Sequence, residues 1–215
     1  MIDVIESPQE ILNALVKNYP QLSECESEIL EAYDAMSGAY QAEKNLFVCG
    51  NGGSAADSEH IVGELMKSFR FHRPIDETFI GAYRRMFLQD PPRWLEGALP
   101  AFSLVSQTAL STAFSNDMSA EGIFAQQVYG YGRLGDVLLA ISTSGNSSNV
   151  VEAAKVALAK GMTVISLTGS SESKLSVISN ITIRVPEAEV FRIQELHLPV
   201  YHALCAALEA RFFGE

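Results

Sequence analysis

Five short apolar runs, separated by segments with helical patterning, most constrain how this 215-residue chain can fold. They are residues 46–50, 101–106, 136–142, 162–169 and 181–186. Strands buried on both faces read as continuous apolar runs, so each run is predicted to be a strand of an interior sheet. Their alternation with helices predicts an α/β fold with a mostly parallel sheet flanked by helices. The loops after the strands should then share one edge, where such sheets bind ligands.

The N-terminal segment 1–45 is predicted to form a helical hairpin. Ser7 and Glu10 have the spacing of a helix-capping box. Ser23 and Glu26 repeat that spacing at the start of a second helix. An apolar stripe then recurs along this helix at steps of three and four; its members are Leu22, Cys25, Ile29, Tyr33, Met36 and Tyr40. Since a hairpin cannot bury its stripes alone, it must pack on the rest of the chain or on another subunit.

The segment 72–100 departs from the regular alternation of strands and helices. It contains four prolines and the chain's one tryptophan, Trp94. Because it is too long for a simple loop in a compact domain, we predict a partly helical excursion. It would act as a lid or an interface element within a single domain that covers residues 1–215.

Charge and cysteine content limit the binding partners and the cellular compartment that we expect for this protein. Lys and Arg number 15 against 26 Asp and Glu, which gives a net charge of −11. A fold this acidic should be repelled by nucleic acid and by anionic membranes. No apolar run reaches the ~18 residues of a membrane helix, and the N-terminus lacks the pattern of a secretory signal. Three scattered cysteines predict reduced thiols in a cytoplasmic protein.

Two strand-to-helix loops carry the strongest local signal. CGNGGSAAD (49–57) places three glycines and a serine before a helix, and ISTSGNSSN (141–149) is rich in hydroxyls. Helix N-termini present unpaired N–H groups and can hold a phosphate without lysine. The alternative is helix capping, but one cap explains one hydroxyl, so the second loop favours phosphate binding. Neither loop matches the GxGxxG or GK[ST] nucleotide signatures.

Two segments hold three of the four histidines. His60 and Glu64 lie four residues apart on the helix after the first loop, so they share a face and could share a metal ion. Near the C-terminus, RIQELHLPVYH (192–202) carries Gln194, Glu195, His197 and His202. Each of these residues could equally be an ordinary helix-face residue, and the residues alone leave both interpretations open. The zinc-protease motif HExxH is absent.

Taken in order and spacing, CGNGGSAADSEH, ISTSGNSSNVVEA and RIQELHLPVYH resemble the phosphoheptose isomerases of the sugar-isomerase (SIS) fold. That family interconverts sedoheptulose 7-phosphate and D-glycero-D-manno-heptose 7-phosphate. The resemblance covers approximately 1–70 and 100–212. It implies an SIS-type doubly wound parallel sheet, a small phosphosugar substrate, and a homotetramer with active sites at subunit interfaces.

The resemblance also implies roles for individual residues. Zinc would be held by His60, Glu64, Gln194 and His202. Glu64 would be the general base and His202 the general acid of proton transfer through an enediol. The phosphate would contact Ser142, Thr143, Ser144 and Ser147. The remaining substrate contacts would come from Asn51, Gly52, Gly53, Ser54 and Gln194.

Three features depart from the family pattern. Gln107 stands where the family usually has aspartate, which leaves the exact sugar open. The 72–100 segment is about 25 residues longer than the family's connection. Pro199 lies inside the last helix, where it removes a backbone hydrogen bond and should kink the helix. His197 is the spare ligand candidate if that kink displaces a neighbouring side chain.

Two alternatives to a heptose isomerase remain. The family includes a non-catalytic regulator that binds the replication initiator protein. That relative lacks the metal-site residues, so the complete set in this chain favours an enzyme. The second alternative is an isomerase of a different sugar phosphate.

Overall fold

A five-stranded, all-parallel sheet forms the centre of the protein in the computed structural model, which describes residues 6–214. The spatial order is β2-β1-β3-β4-β5. The strands are β1 (Leu46–Cys49), β2 (Ala101–Ser103), β3 (Val137–Ile141), β4 (Thr163–Thr168) and β5 (Ile181–Arg184). Each begins within two residues of its predicted run. The predicted parallel α/β fold is therefore confirmed.

Helices cover both faces of the sheet. They are α1 (Pro8–Asn18), α2 (Glu26–Gln41), α3 (Gly53–Met66), α4 (Glu77–Phe87), α5 (Thr108–Asp117), α6 (Ile123–Tyr131), α7 (Ser148–Ala159), α8 (Lys174–Ile178) and α9 (Val190–Phe213). Alternate strand residues face opposite sides. Leu46 and Val48 join a core with α1, α2, α3 and α9. Phe47 and Cys49 join a second core with α6, α7 and α8.

The N-terminal hairpin packs on α9 of the same chain. Five of the six predicted stripe residues are buried, and Tyr33 packs partly buried against the same core. The stripe therefore does not need another subunit to cover it. Residues 1–5 of the predicted hairpin lie outside the described residues.

One predicted capping box is present and the other is wrong. Ser7 Oγ accepts from the N–H of Glu10, while the N–H of Ser7 donates to the Glu10 carboxylate at 2.8 Å. Ser23 instead lies in a 3₁₀ helix, Pro20–Cys25, and its hydroxyl donates to the carbonyl of Pro20 at 2.7 Å. The side chain is satisfied locally, so α2 begins without a side-chain cap.

The 72–100 segment contains helix α4, and none of the residues of this helix is buried. The segment is tied down at its base, where Gly97 N–H donates to the carbonyl of Arg73 at 3.0 Å and Leu99 N–H to that of Leu65 at 2.9 Å. Several large apolar side chains of the segment remain exposed, namely Phe79, Met86, Phe87, Leu88 and Trp94. Its role as a lid or interface element remains a prediction.

Helix α9 runs without interruption through Pro199. The ring removes one backbone donor, but its neighbours on both sides, Leu196 before it and Val200 and Tyr201 after it, are buried in the core. Packing therefore maintains the helical conformation across the proline. Within residues 6–214, no helix combines the length and apolar character that a bilayer crossing requires.

Candidate active site

Helix α3 presents His60 and Glu64 from the loop that follows β1. Gly52 caps this helix at φ +55°, a conformation that L residues rarely adopt, so the tight turn from strand to helix depends on glycine. Two turns further on, His60 Nε2 lies 3.1 Å from Glu64 Oε1. His60 and Glu64 therefore share one face of α3, as predicted, and their side chains are in direct contact.

Helix α9 brings His202 to this pair from 142 residues away in the chain. Its Nε2 lies 3.5 Å from Nε2 of His60. The two rings are nearly perpendicular, with centroids 4.9 Å apart. The His60 side chain is 43% exposed and that of Glu64 is 14% exposed, so the cluster opens to the surface on one side.

The cluster has the donor atoms of a metal site, and two of its pairwise distances are close to those between zinc ligands. Donor atoms bound to one tetrahedral zinc at about 2.0–2.1 Å lie about 3.4 Å apart, close to the two separations at His60. Even so, no group of three or more His, Cys, Asp or Glu side chains among residues 6–214 is arranged to hold a metal ion. His60 approaches each partner, but the three side chains do not enclose a common point.

Gln194 lies elsewhere, against the first turn of α3. A Cβ atom added to Gly53 would overlap the side-chain amide of Gln194. The eight residues from Gln194 to His202 span about 12 Å along a helix, and the seven from Gly53 to His60 about 10 Å. Because α9 runs alongside α3, Gln194 lies next to Gly53, and His202 lies next to His60 about two turns further on. Gln194 makes no hydrogen bond to the histidine cluster.

Burial and neighbouring charges shape the protonation of the cluster. Burial, followed by the adjacent His60, lowers the pKa of His202. Burial raises the pKa of Tyr201 and also that of Asp57, whose carboxylate accepts from the Tyr201 hydroxyl. Within residues 6–214, buried His197 makes one side-chain hydrogen bond, which its Nε2 donates to the carbonyl of Thr168 at 3.3 Å. Burial lowers the pKa of His197 to about 4. His197 therefore sits in the core and not in the cluster.

The serine loop follows β3 at the same edge of the sheet. The hydroxyls of Ser142 and Ser147 lie 3.0 Å apart. Ser147 occupies the N-cap of α7 but makes no capping hydrogen bond with its side chain. Gly145 has φ +63°, and a Cβ there would overlap Ser173. These hydroxyls are thus not used as a helix cap, which favours the phosphate interpretation over the capping alternative.

The other loop hydroxyls and the first loop complete the predicted substrate contacts. Ser144 is exposed, and its Oγ accepts from the N–H of Asn146 at 3.2 Å. Thr143 is half-buried, and its carbonyl accepts from the N–H of Gly169 at 3.0 Å. In the first loop, Ser54 is buried at the start of α3. Together these residues line the two adjacent loop ends.

A pair of amides joins the two loops. Asn51 and Asn149 exchange hydrogen bonds of 2.8 and 2.9 Å between their side chains. Sequence reasoning missed Asn149, although it lies in the quoted serine loop. The pair links the ends of the two loops directly.

The chain matches the SIS domain family model over residues 12–90 and 96–169. The phosphoheptose isomerase of Rhodospirillum rubrum is 36% identical to it over 189 residues, which cover 88% of each protein. The chain belongs to the phosphoheptose isomerase family of SIS-domain proteins. The family match also includes most of the 72–100 segment, leaving out only 91–95.

Two solved phosphoheptose isomerases share the fold. That of Neisseria gonorrhoeae is 30% identical with a TM-score of 0.71, and the match covers 94% of this chain and 98% of the other. That of Francisella tularensis is 28% identical with the same TM-score, and the match covers 94% and 95%. The agreement extends over nearly the whole length of each phosphoheptose isomerase.

Gly53→Ala tests the position of Gln194 in this family member. The added methyl group would displace the Gln194 amide, while alanine in a helix should leave stability unchanged or raise it by about 0.5–1 kcal/mol. We expect lower isomerase activity together with an unchanged or higher melting temperature. Gly63→Ala, on the same helix with open space around the new methyl, is the control. Equal activity of the two variants would show that the Gln194 position is immaterial.

Proposed function

We propose that this protein interconverts sedoheptulose 7-phosphate and D-glycero-D-manno-heptose 7-phosphate. The observation that carries the proposal is the contact of His60 with both Glu64 and His202, at the sheet edge that also carries the serine loop. Relatives 36% identical to the chain are named phosphoheptose isomerases. A base, an acid and an anion-binding loop are the three elements that such a reaction requires.

The reaction moves one proton between C1 and C2 of the sugar. Glu64 would take the proton from one carbon and return it to the other. His202 would protonate the carbonyl oxygen and then take the proton of the neighbouring hydroxyl as the new carbonyl forms, so that both side chains end in their starting protonation states. The two side chains reach the reacting carbons from different helices, both next to His60. They can therefore approach the substrate without competing for one position.

The dimensions of the site suit a long, open-chain substrate. The serine loop and the first turn of α3 lie at one end, and His60 lies about 10 Å further along that helix. A seven-carbon chain with a phosphate on its last carbon can bridge this gap. Binding the remote phosphate would position the reacting carbons between Glu64 and His202.

We also propose that the site holds zinc through His60, Glu64, His202 and a reoriented Gln194. The bound ion would supply positive charge that stabilises the developing enediolate. Support comes from the Nε2 atom of His60, which faces both a carboxylate and a second imidazole. The long Gln194 side chain would have to leave Gly53 to join them.

A cytoplasmic homotetramer is the assembly that we propose. The candidate site is open on one side, and α4 carries exposed aromatic residues while none of its residues is buried. A neighbouring subunit would cover this apolar surface and close the site. Cys25, Cys49 and Cys205 are all buried and unbonded, which is consistent with a reducing compartment.

The test is to incubate the purified protein with sedoheptulose 7-phosphate and zinc and to follow the aldose product by NMR. We expect turnover that disappears on treatment with a chelator and returns when zinc is added. Faster turnover of another ketose phosphate would mean that the protein is an isomerase of that sugar phosphate. Binding of the replication initiator protein, without turnover or bound metal, would replace the enzyme by the regulator.

A further inference from the structure

Helix α4 lacks the packing that a helix of its length needs. It has 11 residues, and none of them is buried. Among residues 6–214, no other helix or strand packs extensively against it. Isolated helices shorter than about 12–15 residues are only marginally stable in water, and in proteins most of their stability comes from packing of an apolar face. We therefore looked for a partner that would cover α4.

One side of α4 carries a continuous aromatic stripe. Phe79, Tyr83 and Phe87 follow each other at steps of four residues, so they lie along one face of the helix. Their rings are neighbours, with centroids 5.9 Å apart between Phe79 and Tyr83 and 4.7 Å apart between Tyr83 and Phe87. Phe79 is 41% exposed and Phe87 is 54% exposed. A contiguous exposed apolar surface of this kind marks an interaction site.

The charges beside the stripe favour a second copy of this chain as the partner. Glu77 and Arg84 are seven residues apart, so they lie on the same side of the helix, at the edge of the stripe. In residues 6–214, Arg84 uses only Nε, which donates to Asp90 at 2.5 Å, so its two NH₂ groups remain for another carboxylate. When two copies of a helix pair antiparallel about a two-fold axis, the same side of each helix meets. Glu77 of each copy then comes opposite Arg84 of the other.

The balance of charges argues against a membrane as the partner. Residues 76–93 contain three acidic and three basic side chains, namely Asp76, Glu77 and Asp90 against Arg84, Arg85 and Arg93. Helices that lie on membranes are rich in Lys and Arg on their polar face. The chain as a whole carries a net charge of −11, which anionic lipids would repel.

We propose that α4 pairs antiparallel with α4 of a second copy, with the aromatic stripes facing each other and Glu77 of each copy beside Arg84 of the other. The pairing rests on the homo-oligomer of the proposed function and specifies one of its contacts, but it requires neither the reaction nor a bound metal. Such a two-fold contact is self-complementary, because one surface meets its own copy. Leu88 and Trp94, which are 91% and 79% exposed, would extend the contact beyond the helix.

Single cysteines near the two-fold axis test the pairing directly. Ile80 borders the stripe, whereas Gly81 lies on the opposite side of α4, where an added Cβ would meet only the end of the Arg85 side chain, at 3.5 Å. The native cysteines are buried, so they should not contribute to cross-linking. We expect Ile80→Cys to form a disulfide-linked dimer under mild oxidation, seen on a non-reducing gel, and Gly81→Cys to remain as single chains.

Charge reversal tests the register of the two helices. Glu77→Arg would place two arginines opposite each other at both symmetric positions. We expect the assembly to dissociate at about 5–30-fold higher protein concentration, measured by sedimentation velocity over a dilution series. Adding Arg84→Glu to Glu77→Arg should restore the association of the wild type. Arg85→Glu, on the side of α4 that faces away from the stripe, is the control and should leave association unchanged.

Equal cross-linking of the two cysteine variants, or a double charge variant that associates no better than Glu77→Arg alone, would overturn the pairing. A wild type that sediments as a single chain at every concentration would remove the proposed assembly as well. Its co-sedimentation with phosphatidylcholine vesicles would then make a membrane the partner of α4. Cross-linking through Ile80→Cys in a protein that does not isomerise sedoheptulose 7-phosphate would remove the reaction and leave the pairing.

Discussion

Replacing Glu64 by glutamine is expected to lower kcat by about 10²–10⁴-fold, the usual contribution of a general base. The amide has the same shape as the carboxylate but cannot accept a proton from carbon. Because glutamine fills the same space, and the ion pair that is lost joins Glu64 to an exposed lysine, Lys67, at 3.4 Å, the fold should be unaffected. Single-turnover and steady-state rates with sedoheptulose 7-phosphate, monitored by NMR, measure the effect.

Glu152→Gln provides the control for this substitution. Glu152 also pairs with a lysine three residues later, Lys155, but it lies on α7 and outside the cluster. It should retain full activity. Because Glu64 is also a proposed zinc ligand, zinc content is measured and rates are compared at saturating zinc. Undiminished turnover by the Glu64 variant would remove this carboxylate from the mechanism.

Local patterns were sufficient to predict the framework of the fold. The apolar runs marked all five strands because both faces of the sheet are covered, as the alternating burial of Leu46 and Phe47 in two separate cores shows. Periodicity did not reveal α5, since no residue of this helix is buried and its sequence carries no apolar stripe. The capping box predicted at Ser23 failed because the spacing alone does not show which partner the hydroxyl will bind. In the structure it donates to the carbonyl of Pro20 and does not cap the helix.

In the candidate site, contacts within one helix could be predicted from the sequence, whereas contacts between helices could not. The four-residue spacing of His60 and Glu64 predicts their contact from helix geometry alone. The approach of His202, and the position of Gln194 beside Gly53, depend on how α9 lies along α3. No local pattern contains that alignment. The same packing places Tyr201 against His60, and nothing in the sequence indicated this contact except the position of the tyrosine next to a histidine.

Glu209→Gln is expected to lower the free energy of unfolding by about 3–5 kcal/mol, the usual cost of breaking a buried ion pair. The Glu209 carboxylate and the Arg73 guanidinium are both fully buried and 2.7 Å apart. The carboxylate also accepts from the N–H groups of Phe69 and Arg70 at 2.7 and 2.8 Å. The glutamine amide carries no charge, so the Arg73 guanidinium would lose its buried counter-charge. The NH₂ group of the glutamine would also face one of the groups that now donate to the carboxylate, where two donors repel each other. Urea denaturation at a fixed protein concentration measures the loss.

The consequence should extend to the cluster, because Arg73 also donates to the carbonyls of Glu64 and Leu65 at 2.7 and 2.6 Å and so closes the end of α3. Asp90→Asn is the matched control: it breaks an exposed pair with Arg84 in the same segment and should cost no more than about 1 kcal/mol. Equal losses in the two variants would mean that burial adds nothing to the Arg73 pair. A larger loss for Glu209→Gln, with weaker catalysis by the protein that remains folded, would mean that the start of the 72–100 segment supports the catalytic helix.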